Sequence, residues 1–213
     1  MHYTPFGKEV TSKQQVGLYF YKDGEKPELM MRENVIVDQF IKLPPNDGAH
    51  KEIAYLDFPK DALLYTTVAH AHYRGAASTL TLRYPDGKEK LVLNIPKYDF
   101  NWQRMYEFDQ PIQIPAGSKM IATYTYDNSK RNPANPDPSK EVVWGDQSFE
   151  EMFYTSMRYR WVDETAEKQT NYDELMMKTR LLGMLDDNID DKVQESELRG
   201  QFATMLQGKF ALV

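Results

Sequence analysis

A chain of 213 residues, 41% of them apolar, has the material for one core plus an appendage. It contains no cysteine, which excludes within it a disulfide framework, CxxC redox chemistry, Cys-ligated zinc and c-type haem attachment. The formal net charge is −6, yet residues 163 to 197 alone hold eleven acidic against four basic side chains; the body is therefore near neutral and offers no basic, aromatic-interleaved stripe for nucleic acid.

The chain opens on Met1-His2-Tyr3-Thr4, without the basic and apolar regions of a signal peptide, and no 18-residue apolar run follows, so no membrane span is expected. Beyond residue 14 the sequence predicts strands and no long helix. The runs Val16 to Tyr21, Asn34 to Val37, Glu52 to Phe58, Leu63 to Tyr73, Ser78 to Tyr84, Leu91 to Ile95, Met120 to Tyr126 and Glu151 to Trp161 are short, rich in β-branched or aromatic residues and often alternating. Pro44-Pro45-Asn46-Asp47-Gly48, the hairpin turn Pro85-Asp86-Gly87-Lys88, Pro115-Ala116-Gly117 and the loop from Asn132 to Pro138 punctuate them. Such spacing predicts an all-β fold, an antiparallel jelly-roll-like sandwich over residues 15 to 162. The polar stretch 163 to 171 then leads into a C-terminal helical unit over 163 to 213.

Two of the four histidines form His70-Ala71-His72 inside one strand-like run. Strand periodicity puts both imidazoles on one face, roughly 6 to 7 Å apart at Cα, where they can share a metal ion or act as half-buried, hydrogen-bonded side chains. His50, after Asp47-Gly48, is expected as a surface histidine in a loop.

A set of segments sharpens this choice: Ala69-His70-Ala71-His72-Tyr73-Arg74-Gly75, Tyr84-Pro85-Asp86-Gly87, Tyr98-Asp99-Phe100-Asn101-Trp102-Gln103, Asp127-Asn128-Ser129 with Asn135-Pro136-Asp137-Pro138, and Trp144-Gly145-Asp146-Gln147-Ser148 followed by Glu150-Glu151-Met152. In this order they resemble the C-terminal domain of the copper type II, ascorbate-dependent monooxygenases, the family of the peptidylglycine α-hydroxylating and dopamine β-monooxygenases and of bacterial relatives. The resemblance covers most of residues 1 to 162. It implies a catalytic copper held by His70, His72 and Met152, with dioxygen and a small-molecule substrate as reactants and an external reductant such as ascorbate. Two imidazoles and a soft thioether suit that metal and leave a position open, although any single methionine is more simply a core residue.

The resemblance also places His2 at the junction with a preceding domain, as one ligand of a possible second copper whose other ligands this chain lacks; residues 1 to 14 are then a remnant or linker. It implies a secreted or periplasmic protein, with an upstream domain or electron-donor protein as partner. The peptidylglycine enzymes carry an arginine and a tyrosine where this chain has Val68 and Ser156, so a C-terminal peptide is not the expected substrate. Tyr73 and Tyr154 are left to line a different pocket. The expected activity is hydroxylation of an aliphatic C–H bond; the alternative is a non-enzymatic copper-binding, calcium-stabilised module of a larger exported protein.

The calcium expectation comes from the last region, Asp186 to Glu197. Oxygen-bearing side chains stand at loop positions 1, 3, 5, 9 and 12 of an EF-hand pattern, through Asp186, Asn188, Asp190, Gln194 (through a water) and Glu197, with the Lys192 carbonyl at position 7. Asp191 takes position 6, where glycine is usual, at about 1 kcal/mol for the left-handed backbone. Leu175, Met176, Leu182 and Leu185 before the loop, and Leu198, Phe202, Met205 and Leu206 after it, give helical apolar faces, with Thr170 or Asn171 as N-cap and Gly208 as stop. An acidic linker between two helices is the bland alternative. A single hand is expected to pack on the body of the protein.

Overall fold

The structure is a computed structural model that describes residues 7–169 and 173–206. In chain order it holds β1 (Arg32–Asp38), β2 (Lys42–Leu43), β3 (His50–Phe58), β4 (Ala62–His70), β5 (Gly75–Arg83), β6 (Glu89–Ile95), β7 (Tyr106–Ile114), β8 (Ser118–Tyr126), β9 (Val142–Val143) and β10 (Phe153–Trp161), then helices α1 (Asp173–Leu185) and α2 (Gly200–Leu206). Two four-stranded antiparallel sheets, ordered β1-β10-β4-β7 and β3-β8-β5-β6, form a sandwich, and β2 pairs with β9 beside them. The chain crosses between the sheets at β3 to β4, β4 to β5, β6 to β7 and β7 to β8, which is the arrangement expected of a jelly roll.

Alternation explains the sandwich. In β8 Met120, Ala122, Tyr124 and Tyr126 are buried and face Leu64, Phe153 and Met157 of the other sheet, within one core that also takes Leu56, Phe58, Leu80 and Trp161. The turns read from sequence sit where they were expected: Gly87 and Gly117 adopt φ of 82° and 81°, which only glycine takes without strain, and Gly87 closes its hairpin with an N–H to Tyr84 O bond of 2.9 Å.

Three expectations need correction. Val16 to Tyr21 is not a strand: it has no ladder bonds and stays exposed, with Tyr19 fully so, and the first strand starts at Arg32 rather than near residue 15. Its β-type side chains have no neighbouring strand to pair with, so propensity alone forms nothing. β7 was missed because Tyr106–Ile114 carries Pro111, Asp109 and two glutamines; a proline is tolerated there because β7 is an edge strand. His50 opens β3 and is held by Glu52, Nε2 to Oε1 at 2.8 Å, so it is not a free loop histidine.

The segment after Trp161 is anchored too. Glu164 is buried, with Arg32 Nε 3.0 Å from its carboxylate, and α1 packs across the edge strands β3 and β1, burying Met176 and Leu185. Gly183 lies so close to β3 that a Cβ there would sit 1.9 Å from the Tyr55 carbonyl oxygen. His2, the N-cap candidates Thr170 and Asn171, and Gly208 fall outside the described residues.

Candidate metal centre

A bulge decides where His70 points. Leu64 pairs with Tyr159, and the β10 ladder resumes at Thr66 opposite Arg158, so Tyr65 is the extra residue on that side; against β7 the pairing passes from Ile112 to Glu107, and there the surplus lies on β7. Before it, Ala62 and Leu64 face the core; after it, Thr67, Ala69 and Ala71 do. Without the extra residue Val68 and His70 would share the core face with Leu64. The bulge instead turns Val68 and His70 to the outer face of the β1-β10-β4-β7 sheet, while His72, past the end of β4 and so not in the strand expected to run to Tyr73, is buried beside Phe100. Arg160 Nε donates to the Tyr65 hydroxyl at 3.0 Å, which helps hold the bulge in place.

The two imidazoles meet edge to face, ring centres 5.1 Å apart and planes at 87°. Metal–nitrogen bonds of about 2 Å set near right angles would leave ring centres roughly 5 Å apart, so the spacing fits one shared ion. The tautomers agree. His72 Nδ1 lies 3.3 Å from the Glu150 carbonyl oxygen, which can only accept. His70 Nδ1 lies 2.5 Å from Gln103 Oε1, and the Gln103 amide is oriented by its Nε2 donation to Phe100 O at 2.9 Å. In the neutral form each ring therefore carries its proton on Nδ1, the tautomer that coordinates a metal through Nε2.

Met152 enters through its neighbour. Glu151, absent from the site read in the sequence, is fully buried, and its Oε1 accepts the backbone N–H groups of both His72 and Met152 (the latter at 2.9 Å), while Oε2 accepts that of Arg74 at 2.9 Å. One carboxylate thus fixes the end of the HxH segment against the start of β10. Burial pushes the Glu151 carboxyl up to about 7, against the pull of those three N–H groups and of the Arg74 guanidinium. Met152 is half-buried.

Of the pocket candidates, Tyr154 pairs in register with His70 across β10 and β4, ring centres 6.1 Å apart. Tyr73 packs on Phe100 at 4.9 Å, and Phe100 on His72 at 6.1 Å, so Tyr73 stands one ring removed. Val68 and Ser156 face each other across the same ladder, two pairs further along. A cleft of about 280 Å³ reaches β4 at Ala69, between Tyr98, Trp102 and Tyr106. Trp102 and Arg104 of its lining flank Gln103, the partner of His70 Nδ1.

The acidic loop is built differently. Its backbone takes the left-handed region at Ile189 and Asp191, φ 58° and 69°, so Asp191 does adopt the conformation that position 6 of a calcium loop demands. Asp186 Oδ1 accepts Asp190 N–H at 3.1 Å, and Oδ2 accepts Asp191 N–H at 2.9 Å and the buried Tyr55 hydroxyl at 2.6 Å. Glu197, at the end of a 3-10 turn over Glu195–Glu197, folds back to the N–H groups of Asp187, Asn188 and Gln194. Asp190 accepts from Lys192 N–H and the Gln194 side chain, and Asn188 Oδ1 from Asp190 N–H. Among the described residues no three His, Asp or Glu side chains are gathered as a metal-ready group, and the loop carboxylates are turned onto N–H groups. The side chains of Leu175, Met205 and Leu206 lie outside the described residues, while Phe202 meets Phe40 edge to face at 5.8 Å.

No protein-family model and no curated protein matches the chain. Among solved structures it is similar to infectious bursal disease virus, Gx strain, at 10% identity and a TM-score of 0.34 over 70% of this chain and 38% of that one. It is also similar to the VP2 subviral particle of that virus, at 12% identity and a TM-score of 0.29 over 74% and 51%. The chain thus spans about half or less of those chains, and scores this low carry no argument.

Proposed function

We propose that this chain is a copper-dependent monooxygenase domain that hydroxylates an aliphatic C–H bond with dioxygen and an external reductant such as ascorbate. The observation that carries it is the pairing of two Nδ1-protonated imidazoles at metal-sharing distance with a carboxylate that locks His72 to Met152. His70 and His72 would hold the copper through Nε2 and Met152 through its thioether, a donor set that favours the reduced ion. Bound copper would supply the activation of dioxygen. Gln103 and Glu150 keep the rings from rotating, and Glu151 keeps the two donor-bearing segments in register.

The sheet face beside His70 suits an apolar substrate. Val37, Tyr154 and His70 make one cross-strand row, and Val35, Ser156 and Val68 the next. The Arg158–Glu33 pair, 3.1 Å, closes the following row. With valine rather than a guanidinium at position 68, a glycine-extended peptide loses its carboxylate partner, so amidation of such peptides is not expected. The family resemblance adds a secreted or periplasmic location and electrons from an upstream domain or donor protein, with His2 as part of a second copper site. For the tail we propose a structural calcium ion on Asp186, Asn188, Asp190, the Lys192 carbonyl and Glu197, in an EF-hand unit docked on β3; the left-handed Asp191 supports it, and calcium would have to displace N–H groups from Glu197.

A second reading, a non-enzymatic copper-binding, calcium-stabilised module of a larger exported protein, uses the same donors and predicts no turnover. It is favoured by the small volume of the cleft at Ala69, about 280 Å³, whose lining includes neither histidine. Copper content after loading tests both: about one copper per chain is expected in wild type, and none retained by His70→Ala/His72→Ala. Equal uptake by the two would overturn the site; copper uptake without oxygen consumption on ascorbate and aliphatic substrates would decide for the module.

A further inference from the structure

Three buried tyrosine hydroxyls end on the main chain of the segments that carry the proposed donors. Tyr124 and Tyr126 rise from β8, in the opposite sheet, with rings stacked 6.0 Å apart. The Tyr124 hydroxyl donates to Tyr154 O at 2.6 Å and accepts from His70 N–H at 3.1 Å, so the Thr155 hydroxyl, 2.8 Å away, is the donor of the third bond. Tyr126 donates to Met152 O at 2.9 Å. Tyr98, from the loop after β6, donates to Ala71 O at 2.8 Å and accepts from Ala71 N–H at 2.9 Å, gripping the residue between the two histidines.

A core that needed only volume would use phenylalanine, because a buried hydroxyl is costly unless bonded. Tyr98 and Tyr126 find their partners on Ala71 and Met152, and Tyr124 on His70 and on Tyr154, two residues past Met152. Burial drives all three hydroxyls upward in pKa, Tyr124 to about 12, so they stay protonated donors. We propose that Tyr98, Tyr124 and Tyr126 are positioning residues of the metal centre: reaching across the sandwich, they set the separation of the two backbone segments that present His70, His72 and Met152. This rests on the copper reading above.

The test compares Tyr98→Phe, Tyr124→Phe and Tyr126→Phe with wild type and with Tyr55→Phe, which removes an equally buried hydroxyl bond, to Asp186, far along the sandwich. Copper(I) and copper(II) affinities are measured by competition with a chromophoric chelator, and melting temperature alongside. All four variants should melt lower. Only the three site variants should also bind copper more weakly, by about tenfold, and Tyr126→Phe should lose more affinity for copper(I) than for copper(II), with a weakened sulfur contribution in X-ray absorption, because it frees the methionine segment. Site variants that melt lower yet bind copper as wild type does would overturn the proposal and leave the copper reading standing. Wild type that binds no more copper than His70→Ala/His72→Ala would overturn both. If Tyr124→Phe, which loses most bonds, fails to fold, Tyr98→Phe and Tyr126→Phe decide the question alone.

Discussion

The histidine end of the sandwich and the acidic loop of the tail both gather metal-type donors, and they hold them by opposite means. Around His70, His72 and Met152 the main chain is fixed by Glu151 and by phenols from two other elements, and the His70 ring by Gln103. In the loop, Asp186, Asp190 and Glu197 spend most of their oxygens on N–H groups of the loop itself, and Tyr55, Lys119 (to Asp191) and Arg199 tie it to the body. The first arrangement is preorganised, its donor-bearing segments held by groups from other elements. The second folds on its own hydrogen bonds and would have to exchange some of them for an ion.

The sharpest way to break this contrast is Glu151→Ala. It strands three backbone N–H groups in a buried site, at roughly 1 to 3 kcal/mol each, so a loss of about 4 kcal/mol is expected in urea unfolding, together with copper affinity. A loss below about 1 kcal/mol would show that the histidine end is not fixed as described.

Calcium probes the other side. At about 100 times its dissociation constant the ion should stabilise the tail by roughly 2.7 kcal/mol, and Glu197→Gln should remove most of that gain. Copper affinity should hardly change. Melting curves with calcium and with chelator read this directly, and an unshifted wild type would sink the calcium site.

The junction between the regions has its own signature. Asp38 is buried at the end of β1; its Oδ2 is 3.4 Å from Arg199 Nη1, near enough to attract and not aligned as a hydrogen bond. Burial raises its pKa from 3.8 to about 7 against the pull of Arg199, helped by the nearby Glu52 and Asp187. The folded state therefore holds a proton that the unfolded chain releases near pH 4. Stability from this group is complete below that pH and is lost as pH rises through about 7. Asp38→Asn should flatten the decline between those limits, and Arg199→Met, which removes the group that lowers the Asp38 pKa, should extend it to higher pH; a pH series of unfolding midpoints unchanged by Asp38→Asn would refute the assignment. At the small end, the half-exposed Arg83–Glu89 pair at 2.8 Å touches neither region, and Glu89→Ala should cost under about 0.5 kcal/mol.

Sequence patterns made much of this visible. The strands ending in Phe58, Tyr84, Tyr126 and Trp161 were legible because alternation and turn residues agree. β7 was not, since an edge strand can carry Pro111, and Val16 to Tyr21 misled because strand propensity does not supply a partner. In the site, His70-Ala71-His72 announced itself by spacing, but the face that His70 occupies depends on one bulged residue, Tyr65, that no periodicity marks. Glu151 could have been suspected from its place beside Met152; the roles of Tyr98, Tyr124 and Tyr126 could not, because they exist only once the opposite sheet and the β6–β7 loop are folded against the donor strands.

Gly183 carries one further consequence. By letting α1 lie on the Tyr55 carbonyl it allows the helix to cover β3 and β1, the two strands that end the sheets on that side. Uncovered strand rims are templates on which a second chain can add itself. Any larger residue at 183 would lift that cover, so mutants there should clump before they unfold, and a library selected for solubility should return glycine at that codon almost without exception.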